Sequence, residues 1–159
     1  MSHLYVLCGA PGSGKSTWAS KQLGALFDQR KTVYVSRDQV RFSLLSDEDD
    51  YFAKEKRVFS IFVNNIVTGL IEGKNVIADA THLNRNSRKH LIEAIDRDYI
   101  DYDVHFIFFD TCLAVCQARN AARQGRQHVP EEQLERMFQQ IEIPSIGEFP
   151  NCVGVWLIR

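Results

Sequence analysis

The feature that most restricts the fold is a glycine-rich stretch, GAPGSGKS, at residues 9–16. It follows the apolar run HLYVLCG (3–9) and opens a segment, 15–27, whose apolar residues have helical spacing. The stretch matches the phosphate-binding pattern G-x-x-x-x-G-K-[ST] at every fixed position, in the strand-then-helix context that the pattern requires. The sequence therefore predicts a strand, a phosphate-binding loop and a helix, in that order.

The residue types in this loop suit a nucleotide triphosphate. Glycines let the backbone curl so that several N–H groups point at one anion, and the start of the helix adds its dipole. We expect Lys15 to reach the β- and γ-phosphates of ATP, and the hydroxyl of Ser16 to ligate Mg²⁺. The residues expected to bind ATP here are Gly9, Ala10, Pro11, Gly12, Ser13, Gly14, Lys15, Ser16 and Thr17.

Beyond the loop, short apolar runs alternate with longer amphipathic segments, which is the pattern of βα units around a mostly parallel sheet. No repeat or flexible linker divides the 159 residues, so we expect a single domain, 1–159, with a three-layer α/β fold and five strands. The later strands are predicted at 32–36, 75–79, 104–110 and 153–158, and the later helices from Asp38 and at 52–71, 88–97, 113–123 and 130–141.

Composition excludes several classes of protein. The net charge of -1 excludes a polybasic binder, so any nucleic-acid site must be a local patch. No apolar stretch is long enough to span a bilayer, and the first residues lack the pattern of a signal peptide. The four cysteines, Cys8, Cys112, Cys116 and Cys152, have neither disulfide-framework nor metal-site spacing, and we expect them to be buried or partly buried thiols of a cytoplasmic protein.

Asp38 and Arg41 follow the second predicted strand, at the sheet edge where open α/β sheets bind ligands. Asp38 has the chemistry of a base for an acceptor hydroxyl, and an arginine one helical turn later suits a phosphate on the same acceptor. The alternative is structural: Asp38 caps a helix, and Arg41 pairs with it or with the acidic run SDEDD (46–50). Spacing alone leaves the two interpretations open.

The third strand also ends in an acid, Asp79, within NVIADATHLN. An apolar run followed by aspartate is the form that positions Mg²⁺ in phosphate-loop proteins, so Asp79 is expected to act with Ser16 at the metal or to orient Arg41. Asp110, after the fourth strand, is the rival, although its place at the start of a helix favours a capping role.

Two basic clusters complete the candidate site. RNSRKH (85–90) supplies Arg85 and Arg88, which we expect to contact a polyanionic acceptor; a solvated basic face is the alternative. The segment 119–130 is predicted to be a helical lid that closes over the transferring phosphate, with Arg119 and Arg123 on one helix face and Arg126 as a competitor. A plain surface helix is the alternative for this segment.

Taken together, GAPGSGKSTW and SRDQVR resemble the 5′-hydroxyl kinase domain of bacteriophage polynucleotide kinase and of bacterial RNA-repair kinases, over residues 4 to about 140. The resemblance implies a P-loop NTPase fold of the nucleoside-monophosphate-kinase type. It also implies that Asp38 is the general base and that Arg41 binds the acceptor's 3′-phosphate. The family's RN-x-x-R element maps onto this chain at Arg123, which would contact the ATP phosphates.

The sequence thus predicts an ATP- and Mg²⁺-dependent kinase, with the 5′-hydroxyl of DNA or RNA as its first candidate acceptor. A second hypothesis keeps the chemistry but uses a nucleotide or sugar nucleotide, as in related zeta-toxin-type kinases. A third is a nucleotide-binding switch, in which Asp38 and Arg41 have no joint role. The sequence does not distinguish DNA from RNA, a complete kinase from one module of a larger protein, or one oligomeric state from another.

Overall fold

The computed structural model describes all residues from 1 to 159. Five strands form one sheet in the order β2-β3-β1-β4-β5, and every neighbouring pair is parallel. The predicted fold is confirmed, and the sheet is parallel throughout. The strands are β1 (Ser2–Cys8), β2 (Thr32–Ser36), β3 (Asn75–Asp79), β4 (Tyr102–Phe109) and β5 (Cys152–Ile158).

Six α-helices connect or follow the strands: α1 (Lys15–Gln22), α2 (Arg37–Leu44), α3 (Glu55–Ile71), α4 (Arg85–Asp96), α5 (Leu113–Ala121) and α6 (Glu131–Gln139). The first helix ends at Gln22 rather than continuing to Phe27 as predicted. Gly24 has a φ of 91°, a left-handed conformation that breaks the helix and that glycine adopts without steric cost. None of the six helices has the length and apolar character needed to cross a bilayer.

The core lies on both faces of the sheet. On one face, strand residues such as Val6 and Phe106 pack with Phe62 and Ile66 of α3, all four fully buried. On the other face, Ile107 and its neighbours pack with the short helix α1. Burial on both sides explains why the strands read as almost continuous apolar runs.

The parallel sheet brings the candidate residues to one edge. The phosphate loop follows β1, Asp38 lies just after β2, and Asp79 is the last residue of β3. Because β1, β2 and β3 are adjacent and parallel, their carboxyl ends form a single ligand-binding edge. Residues far apart in the sequence therefore meet there.

Candidate active site

The loop after β1 is shaped to hold an anion. Gly12 and Gly14 have φ values of 80° and 99°, so both positions favour glycine. Lys15 is buried, and its Nζ donates to the carbonyl oxygens of Gly9 (2.9 Å) and Ala10 (3.0 Å). Burial lowers the pKa of Lys15, while the carboxylate of Asp79 acts in the opposite direction. The loop thus combines a buried ammonium group with the N-terminus of α1, two features that favour a phosphate.

Asp79 lies against the first turn of α1. Its Oδ2 accepts a hydrogen bond of 2.7 Å from Ser16 Oγ and another from the Tyr34 hydroxyl. Burial, and then the charge of Asp79, raise the pKa of Tyr34, so the phenol stays protonated and continues to donate. The Ser16 hydroxyl and the Asp79 carboxylate offer oxygen ligands, which Mg²⁺ prefers. No cluster of three or more His, Cys, Asp or Glu residues forms a separate metal site elsewhere in the protein. Ser16 and Asp79 therefore fit a metal held partly by the nucleotide.

Asp110 does not share this site. Its carboxylate is exposed and lies 3.9 Å from the guanidinium of Arg159, away from Ser16. The capping role that its position suggested is also wrong, since Cys112 is the residue at the N-cap of α5 and no side chain caps that helix. Cys112 is also the one exposed cysteine of the four, contrary to the prediction that all are at least partly buried.

Asp38 does not cap α2. The helix begins at Arg37, and Ser36 is the N-cap residue, whose Oγ accepts from the backbone N–H of Gln39 at 3.2 Å. The carboxylate of Asp38 is therefore not used in capping; its side chain is 59% exposed. It lines the same cleft as Lys15, a space of about 250 Å³ that we call the main cleft.

Arg41 is buried and held by several partners. Its Nη1 donates to Asp38 Oδ1 and, at 2.7 Å, to the Tyr51 hydroxyl. Its Nη2 lies 2.9 and 2.8 Å from the two carboxylate oxygens of Glu55. Both terminal nitrogens of Arg41 thus already have partners within the protein. An acceptor phosphate would have to replace Glu55 on Arg41 or bind Arg41 together with it.

Three residues of this network were not predicted. The Tyr51 hydroxyl donates to Asp38 Oδ1 at 2.7 Å, and Glu55 accepts from Arg37 as well as from Arg41. Burial, and then the charge of Asp38, raise the pKa of Tyr51, so its hydroxyl remains a donor. One signal for Glu55 was present in the sequence: it precedes Val58 and Phe59 by three and four residues, and so shares their inward face.

The three lid arginines have different surroundings. Arg119 Nη1 donates to the Gly12 carbonyl oxygen at 3.0 Å. Arg126 donates to the Ser46 carbonyl oxygen at 3.0 Å and lies 5.4 Å from the ring centre of Phe42. The backbone N–H of Arg123 donates to the Asn120 carbonyl oxygen at 3.0 Å, but its side chain makes no hydrogen bond or ion pair within the protein. It borders both the main cleft and an adjoining cleft of about 530 Å³ on the far side of the phosphate loop.

The segment between α5 and α6, which was predicted to belong to a lid, is held against α5 by a buried side chain, Asn120. Its Nδ2 donates to the Val129 carbonyl oxygen at 2.6 Å, and its Oδ1 accepts from the Val129 N–H at 2.9 Å. The His128 ring lies 2.9 Å from the backbone oxygen of Asn120. The loop between α5 and α6 therefore has a fixed base, and Arg123 and Arg126 project from it.

The prediction that Arg88 contacts an acceptor is wrong. Its side chain is 1% exposed and forms an ion pair with Glu148, with Nε 2.7 Å from Oε1 and Nη2 3.2 Å from Oε2. Its Nη1 also donates to the His82 carbonyl oxygen at 3.0 Å. Arg88 therefore anchors α4 to the chain before β5. Arg85 is exposed at the start of α4 but does not line the main cleft.

Comparison with known proteins decides the family. A model of the AAA_33 family, described as an AAA domain, matches residues 4–144. The chain belongs to the AAA_33 family. No curated protein sequence matches this AAA_33 chain significantly.

Solved structures show that the AAA_33 chain has the fold of P-loop kinases. A chain of the Pnkp1/Rnl/Hen1 RNA repair complex shares 27% identity with a TM-score of 0.74; the match covers 88% of this chain and 44% of that one. Kti12 from Chaetomium thermophilum, solved with ADP-AlF3, shares 16% identity and a TM-score of 0.71, covering 98% and 88%. A gluconokinase from Sinorhizobium meliloti 1021 shares 17% identity with a TM-score of 0.57, and the match covers 96% of this chain and 81% of that one.

These matches support different conclusions, because their sequence identities differ. The predicted resemblance to the polynucleotide kinases of RNA repair is confirmed by the first of them together with the family match. The AAA_33 chain spans less than half the length of that RNA-repair chain. At their lower identities, Kti12 and the gluconokinase show the fold alone.

Proposed function

We propose that this protein is an ATP-dependent kinase that transfers the γ-phosphate of ATP to the 5′-hydroxyl of a polynucleotide. The observation that carries the proposal is that Lys15 and Asp38 line one cleft, on the same edge of the sheet. The ammonium group of Lys15, in the phosphate loop, and the carboxylate of Asp38, which does not cap a helix, therefore border the same space. Phosphoryl transfer to an alcohol needs these two groups in that relation.

In the proposed reaction, the γ-phosphate lies in the loop beside Lys15, and the acceptor hydroxyl lies between it and Asp38. The Asp38 carboxylate accepts the hydroxyl proton as the acceptor oxygen bonds to the γ-phosphorus. The bond from that phosphorus to the β–γ bridging oxygen breaks, and ADP leaves with the electron pair. Mg²⁺, held by Ser16 and oriented by Asp79, would neutralise charge on the β- and γ-phosphates.

Arg123 has the position expected of the arginine that stabilises the transferring group. It is the lid arginine without a protein partner, and its positive charge contributes to lowering the pKa of Lys15, so the two cations share one region. The adjoining cleft, with Trp18 and Phe109 in its lining, would take the adenosine part of ATP. Arg123 would then lie between the nucleoside and the reaction.

Similarity favours a polynucleotide acceptor. The RNA-repair chain is the structure above whose identity, at 27%, supports more than the fold. One observation favours a small acceptor instead: Glu55 already fills the guanidinium fork of Arg41, which removes the ready-made clamp for an acceptor phosphate. A kinase for a small acceptor without a phosphate, such as a sugar, is therefore the second candidate.

The test is a transfer assay with γ-labelled ATP, Mg²⁺ and a panel of acceptors. The panel holds 5′-hydroxyl DNA and RNA oligonucleotides, nucleoside 3′- and 5′-monophosphates, a sugar nucleotide and gluconate. We expect label on the 5′ ends of oligonucleotides. Label confined to a small acceptor would replace the first candidate with the second, and ATP hydrolysis without any labelled acceptor would leave a nucleotide switch.

A further inference from the structure

The main cleft contains a feature that phosphoryl transfer does not use, a group of aromatic side chains beside Asp38. Tyr51 and Phe52 precede α3, and their ring centres are 4.7 Å apart at an interplanar angle of 85°. Phe42, on α2, lies edge-on to Tyr51 at 6.1 Å. We call Phe42, Tyr51 and Phe52 the aromatic cluster.

Phe52 is the exposed member of this cluster. Its relative exposure is 54%, and it lines the main cleft together with Tyr51. A single exposed phenylalanine is ordinary on a protein surface. Phe52 differs because its neighbours fix the ring at the cleft wall.

The guanidinium of Arg41 contacts two rings of the aromatic cluster. The guanidinium carbon of Arg41 lies 4.2 Å from the Tyr51 ring centre and 5.8 Å from the Phe52 ring centre, within the range of a cation–π contact. Arg41 is itself fixed by Glu55 and Asp38. The aromatic cluster is therefore held in place before any ligand arrives, which lowers the entropic cost of binding a planar group.

The cluster is also connected directly to the candidate base. The Tyr51 ring has its hydroxyl on Asp38, at 2.7 Å, and contacts Phe52 along its side. If an acceptor's hydroxyl binds at Asp38, a ring in the next part of the same acceptor molecule would lie near Phe52. In a nucleoside the ribose carries the 5′-hydroxyl, and the base follows on the other side of the sugar.

We propose that Phe52 forms a stacking surface for the first nucleobase of the acceptor, and so selects a nucleic-acid end over a sugar. This inference rests on the proposed kinase function. Bases of any identity stack on aromatic side chains, so the subsite recognises a nucleobase without reading its sequence. Gln133 and Met137 of α6, which line the same cleft, would bound the space for the base.

The test compares two acceptors on four proteins. One acceptor is a 5′-hydroxyl oligonucleotide, and the other is identical except that its first nucleoside lacks the base. The proteins are the natural chain, Phe52→Ala, Phe52→Trp and Tyr99→Ala. Tyr99 is the matched control, because it is an exposed aromatic residue (95%) in the connection between α4 and β4 and does not line the main cleft. KM is measured in the transfer assay, and Kd by fluorescence anisotropy without ATP.

We expect the natural chain and Tyr99→Ala to prefer the intact acceptor by about 10-fold in KM and in Kd, the order of one base-stacking contact. Phe52→Ala should lose this preference by weakening only the intact acceptor, and Phe52→Trp should retain it. The proposal is overturned if the natural chain treats both acceptors alike, or if Phe52→Ala weakens both equally. If the natural chain neither labels nor binds any oligonucleotide, the proposed function itself fails and the subsite fails with it.

Discussion

The hydroxyl of Tyr51 donates a 2.7 Å hydrogen bond to Oδ1 of Asp38, the same oxygen that accepts from Arg41. Two donors on one oxygen orient the carboxylate and leave its second oxygen, Oδ2, without a protein donor. An oriented carboxylate with one free oxygen is what an incoming hydroxyl needs. Tyr51 is therefore a positioning residue in this account.

Tyr51→Phe removes one of these donors while preserving the ring. We expect kcat for transfer to fall by about 10-fold, the effect of losing one orienting hydrogen bond in a pre-organised site. KM for ATP should not change, because the loop around Lys15 is untouched. Steady-state kinetics in both substrates will measure this split. A rise in KM for ATP, or an unchanged kcat, would remove Tyr51 from the role.

Arg123 is the lid arginine expected to act on the transferring group. Arg123→Ala should lower kcat by about 100-fold or more, since a preorganised cation at a developing charge is lost. Arg136→Ala on α6 is the matched control, because Arg136 is exposed and pairs only with Glu132 on its own helix. Arg119→Ala should mainly weaken ATP binding, through its contact with Gly12. If Arg119→Ala rather than Arg123→Ala gives the large loss in kcat, the assignment among the lid arginines is wrong.

Glu55 determines whether Arg41 is available to a phosphate. If Arg41 binds the acceptor's 3′-phosphate, then Glu55→Gln should favour such acceptors by removing the competing carboxylate charge. We expect KM for a nucleoside 3′-monophosphate to fall by about 5-fold relative to an acceptor with a 3′-hydroxyl, a difference of roughly 1 kcal/mol. An equal change for both acceptors would show that Arg41 orients Asp38 and does not bind a phosphate.

His82 should make stability depend on pH. It is buried, its ring Nδ1 lies 2.7 Å from the Leu7 carbonyl oxygen, and burial lowers its pKa from 6.5 to about 4. The unfolded chain therefore binds a proton more readily than the folded one. This contribution to the free energy of unfolding is fully present above pH 6.5 and is lost as the pH falls towards 4.

Denaturant unfolding of the natural chain and of His82→Asn tests this dependence. Asparagine tolerates the positive φ of 42° at this position. Between about pH 7 and pH 5 we expect the natural chain to lose about 2 kcal/mol more stability than the variant, while the effects of the carboxylates cancel. Parallel curves for the two proteins would show that His82 is not held neutral by the fold.

The sequence predicted the sheet and the placement of several candidate residues, because both depend on local patterns. Alternating apolar runs located all five strands, and the glycine loop fixed the position of Lys15 and Ser16. Asp38 and Asp79 were found because acids at the ends of adjacent parallel strands meet at one edge. These features need only a short window of sequence and the topology of the sheet.

Other residues depended on tertiary contacts that no short window contains. Arg88 was predicted to contact an acceptor, although it precedes Leu91, Ile92 and Ile95 by three, four and seven residues and so lies on the buried face of α4. Its partner, Glu148, is 60 residues away in the sequence. Tyr51 was not predicted, because only the packing of α2 against α3 brings it to Asp38.

Asp38→Asn is the most direct test of the catalytic account. Asparagine keeps an Oδ1 that can accept from Tyr51 and Arg41, but it cannot take the acceptor's proton. We expect kcat for transfer to a 5′-hydroxyl oligonucleotide to fall by at least about 100-fold while Kd for ATP is unchanged. Asp50→Asn, an exposed acid in the neighbouring run without an ion pair, should behave like the natural chain. Near-normal turnover of Asp38→Asn, with ATP binding intact, would contradict the account.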